Sequence, residues 1–576
     1  MTDMPVKYLA LTVAGAVSLG SYEAGATYEI LDAIRQHNED PTTIAKGDFI
    51  RIDVLTGASA GGMTASILAQ KLLFAKNAFV GPNAGSSPYN NPLYNTWVLG
   101  IDFQGLLDAV DKPLPDGDPA TLSLLSSNLI ERISQTTLAQ TDPTGQISLD
   151  GGAHNVIDPA RGIRLGLALT NLNGINYQYT MLGGQPFRYT DFRDQMLRFF
   201  SVNDRSFAPW KEVSEAAVAC GAFPVAFRTK DLSRSAADFL ISDTLVPFPT
   251  DPYTFTYTDG GVLQNQPLGM AKNLVDENDH HLQNDNRFYL FVSPSPMDGK
   301  QNLGLHEANA DMIAVGKRLI DVYTGQATFR DWIQTKSIND QIDILDQRAA
   351  GLAKALDLGK IDPAILAAAS QQILTVLYAT EAACESEEEA LARLSTQYAK
   401  EVGSLGAAIG LGGARSAKAT AFLLSILALE KAANLGERDR MQIYGIVTQD
   451  GKLAGAGVFA FLGFFDQSYR DHDYDWGRTV AQQLLGSDAF NQPGQLGPIR
   501  YTPAPIRPID EALNGLPPNQ VPTDEVGDLK NGLTDRINEI LKDKLSNPLE
   551  RYPAQLGADL ILKLMVDWEF TRTVQE

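Results

Sequence analysis

Short apolar runs alternate with longer helical patterns through the first 300 residues of the chain. Residues 7–13 and 52–56 are mostly apolar and include β-branched side chains, which predicts two buried strands. Each run leads, after a glycine-containing turn, into a segment that predicts a helix, 21–31 and 63–72. Such alternation of strand and helix favours a mainly parallel sheet covered on both faces.

Three more segments in this part of the chain have the signature of strands. Residues 253–257 alternate aromatic side chains with threonine, a pattern that suits a pleated, half-buried strand. The apolar segments 162–170 and 288–292 are further strand candidates. We therefore predict that the first 300 residues form one α/β domain.

The pattern changes to helical between about residues 305 and 440. Asp362 followed by Pro363 is a favourable helix start, and apolar residues then recur every four positions from 365 to 377. These apolar stripes most simply pack on each other, with a lid or a partner-binding surface as the alternative.

The C-terminal part begins with a stretch rich in Pro, Gly and Asn, residues 492–522, which indicates a linker or a chain that runs along the surface. Leucine and isoleucine at positions 529, 533, 537 and 541 then predict an amphipathic helix, and an apolar segment follows at 560–568. The expected parts are an α/β domain at 1–300, a helical insertion at 301–440, a closing segment packed on that domain at 441–490, and a linker with C-terminal helices at 491–576.

Composition limits the partners and the cellular location. The net charge of −22 disfavours nucleic acid and strong binding to anionic membranes. Two cysteines, Cys220 and Cys384, are too few for a disulfide framework and predict a reducing, cytoplasmic location. Peripheral contact with a membrane is the alternative, since no apolar run reaches the roughly 18 residues of a membrane span.

The N-terminus also has the outline of a secretory signal. Lys7 precedes an uncharged run, 8–22, and Ala14, Gly15 and Ala16 resemble a cleavage site. The continuation into a helix that carries acidic residues argues against cleavage, and we keep a cleaved signal only as an alternative.

A turn that suits a nucleophilic serine follows the second predicted strand. Gly57, Ser59 and Gly61 form a G-x-S-x-G motif between a strand and a helix, the context that a nucleophile elbow requires. Ser59 would lie at the positive end of the following helix, where the N–H of Ala60 could stabilise an oxyanion. The alternative is an ordinary glycine-rich turn.

A second glycine-containing loop, from Gly15 to Gly20, follows the first predicted strand. It fits neither nucleotide motif, because Val17 stands where a dinucleotide fingerprint needs glycine and Ser21 stands where a P-loop needs lysine. The loop can instead offer backbone N–H groups, those of Gly15, Ala16 and Val17, to an oxyanion.

A base for the serine is predicted at the end of strand 253–257. Asp259, Gly260 and Gly261 follow that strand directly, and an Asp-Gly pair in this position is by itself usually a turn. None of the six histidines has a comparable setting, and a serine nucleophile still needs a base. We therefore expect Asp259 to fill that role.

No metal or cofactor is expected, because the sequence has no metal-ligand spacing. Four aspartates cluster between residues 466 and 475, but Arg470 lies among them and Arg478 follows them. Ion pairs or a helix cap are the simpler interpretation of this cluster.

These motifs, in this order, resemble those of the patatin-like phospholipases. The resemblance spans residues 7–295 and includes the segment 219–227, which ends in Pro-x-x-Phe, and the residues Asn265 and Pro267 after the aspartate motif. Residues 463–478 are similar to a closing segment of longer bacterial members. The resemblance implies a three-layer α/β/α sandwich, with Ser59 as nucleophile and Asp259 as base.

The glycine-rich loop departs from the family pattern Gly-Gly-Gly-x-Lys/Arg-Gly. The chain lacks two of the glycines and the basic residue, and Val17 cannot easily adopt a positive φ. The donor geometry of this loop and its attraction for an anionic head group are therefore not predicted by the resemblance.

The resemblance implies hydrolysis of lipid or lipid-like esters through an acyl-enzyme, with transient membrane-surface contact and without a cofactor. A soluble esterase or thioesterase and a non-catalytic scaffold with the same fold are the alternatives. The sequence predicts no oligomeric state.

Overall fold

A computed structural model of the chain describes residues 6–79, 87–107, 122–180, 186–239, 244–279, 286–295, 332–333, 336, 441–456, 460–492, 494–515 and 523–544. The predicted helical insertion at 301–440, apart from residues 332, 333 and 336, lies outside the described residues. The predicted apolar segment 560–568 also lies outside them.

The described strands form one mixed sheet. Its nine strands are β1 (Lys7–Val13), β2 (Ile50–Gly57), β3 (Ile163–Thr180), β4 (Pro186–Phe200), β5 (Lys230–Arg234), β6 (Thr244–Leu245), β7 (Tyr253–Asp259), β8 (Arg287–Ser293) and β9 (Ile443–Val447). The order along the sheet is β5-β7-β3-β2-β1-β8-β9, and β4 and β6 also pair with β3.

The centre of the sheet is parallel, as the alternation of strands and helices predicts. β1 pairs with β2 in parallel, β2 with β3, and β8 with β9. The side beyond β2 differs from the prediction. There β4, β6 and β7 pair antiparallel with β3, and β5 pairs antiparallel with β7. β3 has 18 residues and pairs with β2 only along 164–167, so the rest of its length is open to β6 and β7, while β4 runs antiparallel along most of it.

Helices connect and cover these strands. They are α1 (Gly20–Glu39), α2 (Pro41–Lys46), α3 (Ala60–Phe74), α4 (Pro92–Tyr94), α5 (Phe103–Leu106), α6 (Asn128–Leu138), α7 (Phe207–Cys220), α8 (Leu268–Asn278), α9 (Gln467–Leu485), α10 (Asp488–Asn491) and α11 (Thr523–Lys544). Short 3₁₀ turns cover Val17–Leu19, Ala236–Asp238, Gly260–Val262, Ala454–Ala456, Leu462–Phe464 and Glu511–Leu513, and a π turn covers Asn95–Leu99. None of the described helices is both long and apolar enough to cross a lipid bilayer.

The central strands are buried along their whole length. All seven residues of β8 are buried, and each of β1 and β2 has only one residue that is not fully buried. Strands buried on both faces require cover on both faces, as in an α/β sandwich. The predicted helices 21–31 and 63–72 lie within α1 and α3, and the predicted amphipathic helix 529–541 lies within α11.

Contacts divide the chain into two units. The first comprises residues 1–271, 288–329 and 443–576, and therefore includes the closing segment together with the N-terminal part. The second comprises residues 272–287 and 330–442. Among its described residues, Lys272 forms an ion pair with Asp276, and the Arg287 guanidinium lies 2.9 Å from the Asp279 carboxylate.

The segment after residue 492, which was predicted to run along the surface, belongs to the first unit and packs on helices of that unit. The Arg507 guanidinium bonds to Asp471 at 2.7 Å and to Asp475 at 2.8 Å, both on α9. The Gln36 side chain of α1 accepts the N–H of Thr502 at 3.0 Å. These contacts hold the described part of the segment, 494–515, against α1 and α9.

Helices α1 and α9 cross with their backbones in contact. A Cβ at Gly25 would lie 2.0 Å from the Tyr474 carbonyl oxygen, and a Cβ at Gly477 would lie 2.1 Å from the Tyr22 carbonyl oxygen. Close beside the crossing, Arg478 bonds to the Glu29 carboxylate at 2.9 Å, and both side chains are buried. The two glycines therefore set the distance at which this buried ion pair forms.

The close crossing of α1 and α9 predicts that one methyl group added at Gly477 lowers the stability of the fold. Gly477→Ala should lower the free energy of unfolding by about 1–3 kcal/mol, because the methyl group can only be accommodated by separating the helices. Gly486→Ala is the matched control at the end of α9, where a Cβ would meet nothing closer than 3.4 Å. Urea unfolding of both variants checks this, and equal stability losses would contradict it.

Candidate active site

Ser59 lies in the predicted turn between strand and helix. β2 ends at Gly57, α3 begins at Ala60, and Ser59 has φ 51° and ψ −127°. A Cβ at Gly57 would lie 2.3 Å from the Gly61 carbonyl oxygen, and a Cβ at Gly61 would lie 2.2 Å from the Ala14 carbonyl oxygen. Only glycine fits at these two positions, and the tight turn that they allow places the serine in a strained conformation.

Asp259 is the last residue of β7, and hydrogen bonds fix its backbone on two sides. Its N–H donates to the Ala222 carbonyl at 2.9 Å, and the Thr170 hydroxyl donates to its own carbonyl at 2.8 Å. Ala222 belongs to the segment 219–227, which the resemblance singled out. The position of the carboxylate is therefore set by β3 on one side and by this segment on the other.

The structure brings Ser59 and Asp259 together, although 200 residues separate them in the chain. The Ser59 hydroxyl donates to Oδ2 of Asp259 at 2.6 Å, and the Gly261 N–H donates to Oδ1 at 2.6 Å. The Asp259 side chain is shielded from solvent, since the residue is 1% exposed. A short hydrogen bond from a hydroxyl to a buried carboxylate is the geometry of a nucleophile and its base.

Burial changes the acidity of this carboxyl group. Loss of solvation raises the pKa of Asp259 to about 7, and the Ser59 hydroxyl and the Gly261 N–H oppose this rise by stabilising the charged form. A carboxylate with a pKa near neutrality is a stronger base than an exposed one. It can therefore accept a proton from the serine hydroxyl to which it is already hydrogen-bonded.

The described histidines have other partners. Nε2 of His37 lies 2.8 Å from the Asp48 carbonyl oxygen, and Nδ1 of His472 lies 3.1 Å from the Asp473 carboxylate. His154 is buried, which lowers its pKa to about 3. His280, His281 and His306 lie outside the described residues.

The predicted oxyanion loop lies beside Ser59, but one of its predicted donors is already engaged. The Gly15 N–H donates to the Asn265 carbonyl at 3.0 Å, so it is engaged in this structure and not free for an oxyanion. A Cβ at Gly15 would lie 3.2 Å from the Ser59 Cβ, which shows how closely the loop approaches. The N–H groups of Ala16 and Val17 have no acceptor among the described residues.

The remaining predicted donor, Ala60, is the first residue of α3, where N–H groups have no acceptor within the helix. Three of the four predicted donors are therefore available near Ser59. Val17 is itself exceptional, because its φ is 50° although a β-branched residue strongly disfavours that region. Val17 thus adopts the conformation that its β-branched side chain makes unfavourable, and contacts elsewhere must hold it there.

The other motif glycines have packing roles. A Cβ at Gly20, the first residue of α1, would lie 2.5 Å from the Trp97 ring. A Cβ at Gly260 would lie 2.0 Å from the Ala168 carbonyl oxygen on β3. Gly261 supplies the N–H that the Asp259 carboxylate accepts.

An apolar pocket opens from Ser59. Its empty space, counted together with the open solvent at its mouth, is about 640 Å³. Among the described residues, no charged side chain lines it. The described lining residues are Val17, Ser59, Ala60, Met63, Ile67, Thr96, Trp97, Ile101, Ile130, Ile133, Ser134, Thr137, Leu138, Ala217, Val218, Gly221, Phe227 and Phe464.

Sequence reasoning missed the walls that α6, α7 and Phe464 contribute. The available signal was the amphipathic pattern of α6, whose residues Ile130, Ile133 and Leu138 recur at helical spacing. That pattern predicts a buried face, but it does not distinguish a face packed on the core from one that borders a pocket.

The aspartate cluster near α9 has the structural roles that were predicted. Asp466 caps α9 by accepting the Ser468 N–H at 2.6 Å, and Asp471 and Asp475 pair with Arg507. Across the described part of the chain, no three residues among His, Cys, Asp and Glu are grouped in a way that could hold a metal ion.

Comparisons with known proteins leave the family open. No family model matches the chain. It is 24% identical over 397 residues to the uncharacterized protein y4iI of Sinorhizobium fredii (strain NBRC 101917 / NGR234), a match that covers 57% of this chain and 55% of the relative. The chain thus spans about half the length of this curated relative.

Among solved structures, a match to VipD from Legionella pneumophila covers 99% of this chain and 92% of that one. Its sequence identity is 11% and its TM-score is 0.23, a likeness too low to carry an argument.

The raised pKa of Asp259 predicts a pH dependence of the free energy of unfolding, which can be measured without an activity assay. An aspartate in an unfolded chain ordinarily has a pKa of 3.8, whereas the pKa of Asp259 in the folded protein is about 7. The stability linked to its proton is therefore fully present below about pH 4 and is lost as the pH rises through 7, by at most about 4 kcal/mol. Asp259→Asn should abolish this loss. Urea unfolding of both proteins between pH 4.5 and 8 checks this, and parallel stability curves would contradict it.

Proposed function

We propose that this chain is a serine acyl hydrolase of the patatin-like type, which cleaves carboxylic esters of lipids through a Ser59–Asp259 dyad. The observation that carries the proposal is the 2.6 Å hydrogen bond from the strained serine to a buried carboxylate. The apolar pocket that begins at Ser59 and the unengaged N–H groups beside it are the supporting observations.

The mechanism follows from the positions of these groups. The Ser59 hydroxyl oxygen attacks the ester carbonyl while its proton passes to Oδ2 of Asp259. The N–H groups of Ala16, Val17 and Ala60 stabilise the oxyanion of the tetrahedral intermediate. Asp259 then gives the proton to the departing alcohol, which leaves an acyl-enzyme. In the second half-reaction, Asp259 takes a proton from water, the hydroxide attacks the acyl group, and the proton returns to Ser59.

The pocket favours a substrate with an apolar acyl chain. The described residues of its lining include no charged side chain that could pair with a head group, and the burial of apolar surface would drive the chain into it. The net charge of −22 opposes electrostatic attachment to an anionic surface. We therefore propose that any contact with a lipid surface is transient and that the acyl chain, rather than the head group, determines recognition.

Two other functions remain as alternatives with different outcomes in simple tests. A non-catalytic scaffold would not react with a fluorophosphonate probe, whereas either hydrolase would. A soluble esterase or thioesterase would show no increase in rate as the substrate passes its micelle threshold, whereas a lipid hydrolase would. The hydrogen bond that engages the Gly15 N–H with the Asn265 carbonyl is the observation that favours the scaffold.

The dyad predicts which substitutions abolish turnover. Ser59→Ala should lower kcat about 10⁴- to 10⁶-fold, and Asp259→Asn should be nearly as damaging, because the two residues act as a unit. Ser66→Ala is the matched control, since it removes another buried serine hydroxyl from α3, one that donates to the Gly62 carbonyl. Ester hydrolysis and fluorophosphonate labelling of the folded variants measure these effects. Undiminished hydrolysis by Ser59→Ala would overturn the proposal.

The pocket predicts how acyl-chain length is discriminated. Ile130 lies on α6 and lines the pocket, so Ile130→Trp should fill part of the space that a long chain needs. We expect kcat/KM for a long-chain ester to fall about 10-fold or more relative to a short-chain ester. Gln135→Trp places the same ring on the exposed side of α6 and should leave the ratio unchanged. A ratio that is unchanged in Ile130→Trp would show that the acyl chain lies elsewhere.

A further inference from the structure

The side chain of Ser18 connects the candidate oxyanion loop with a segment that is more than 440 residues away in the chain. Ser18 is 1% exposed, and its hydroxyl donates to the Ala460 carbonyl at 2.5 Å. The same oxygen accepts the Gly463 N–H at 3.2 Å. A Cβ at Gly463 would lie 2.6 Å from this oxygen, so the approach depends on the glycine.

The residue before Ser18 is the one that needs external support. Val17 has φ 50°, and such a conformation costs on the order of 1–3 kcal/mol that surrounding contacts must offset. The loop's own hydrogen bond, from the Leu19 N–H to the Ala16 carbonyl at 2.9 Å, closes only a short turn. The two hydrogen bonds of Ser18 attach this turn to a separate part of the fold.

That separate part is itself anchored. Residues 454–456 and 460–464 contact the buried carboxylate of Asp473 at one end and Ser18 at the other. The Asp473 oxygens accept the N–H groups of Ala454 at 2.7 Å and Gly455 at 2.9 Å. Asp473 lies on α9, which crosses α1 in backbone contact, so the anchor is held by the packed helices.

The same residues also form part of the pocket wall. Phe464 lines the pocket, and the Phe461 ring centre lies 5.7 Å from that of Phe223 and 6.4 Å from that of Phe227. Phe227 lines the pocket as well. One short segment therefore touches both the acyl pocket and the turn that carries the candidate oxyanion donors.

We infer that Ser18 is a positioning residue for acyl transfer: its hydroxyl, held by Ala460 and Gly463, fixes Val17 in the conformation that points its N–H toward the oxyanion. The inference rests on the proposed hydrolase function and adds to it a residue outside the dyad and the donor set. It also makes residues 460–464 part of the machinery of the site.

The test separates transition-state stabilisation from substrate binding. Ser18→Ala should lower kcat about 10- to 100-fold, less than the 10²- to 10³-fold typical of deleting a donor, because the N–H is displaced rather than removed. KM for a long-chain ester should stay within about threefold, since the pocket is intact. Affinity for a long-chain trifluoromethyl ketone, which forms an oxyanion adduct with a serine, should fall in parallel with kcat. Affinity for the matching long-chain alcohol should not change.

Two variants complete the design. Ser21→Ala removes a neighbouring buried hydroxyl that donates only to the Ser18 carbonyl, at 3.3 Å, and should behave as wild type. Gly463→Ala leaves Ser18 in the chain but displaces its partner, and should reproduce the loss of kcat. If Ser18→Ala does not fold, Gly463→Ala decides by the same measurements.

The outcomes distinguish this inference from the proposed function. A wild-type protein that hydrolyses esters, together with Ser18→Ala and Gly463→Ala variants of unchanged kcat, would overturn the positioning role alone. A parallel loss of affinity for the ketone and the alcohol would also overturn it, because it would indicate general damage to the pocket. A wild-type protein without hydrolysis or fluorophosphonate labelling would overturn the proposed function and this inference with it.

Discussion

The hydrogen bond between Ser59 and the buried carboxylate of Asp259 depends on the register of three strands. Along β3, Leu167 pairs with Gly57 at the end of β2, and Leu169 pairs with Asp259 at the end of β7. Ser59 thus lies two residues after Gly57, the last residue of β2. Asp259 pairs with β3 two residues farther along than Gly57 does. A slip of one residue in the pairing of β7 with β3 would turn the carboxylate to the other face of the sheet. β3 therefore acts as the common reference for the positions of both side chains.

This arrangement brings several energetically unfavourable features together at the site. Ser59 and Val17 both have positive φ, and Asp259 is buried with a pKa near 7, so the site opposes the stability of the fold. Such departures from local preference persist only where the surroundings over-determine the structure. Here the surroundings are buried central strands and the direct backbone contact of α1 with α9. The strain and the desolvated carboxylate are what a pre-organised acyl-transfer site would require.

Much of the α/β core and of the candidate site follows from local sequence. The bounds of β1 are those predicted, because its apolar run stops at a glycine-containing turn, and the glycines at 57 and 61 directly reflect the close approach of the elbow. The antiparallel side of the sheet was not predictable in this way, since the pattern of β3 indicates a strand but not its partners. The engagement of the Gly15 N–H by Asn265 was missed for a similar reason, because it arises from tertiary contact across about 250 residues.

The loop around Val17 shows why counting glycines is an incomplete guide to such a site. A glycine reaches positive φ at little cost, so a glycine-rich loop can hold its donors by local preference alone. A valine in the same conformation needs tertiary support, and here the neighbouring Ser18 bonds to Ala460 and Gly463. A substitution that would disable an isolated loop can thus be compensated by a distant segment. Support of this kind leaves no local motif, and it becomes visible only when the chain is folded.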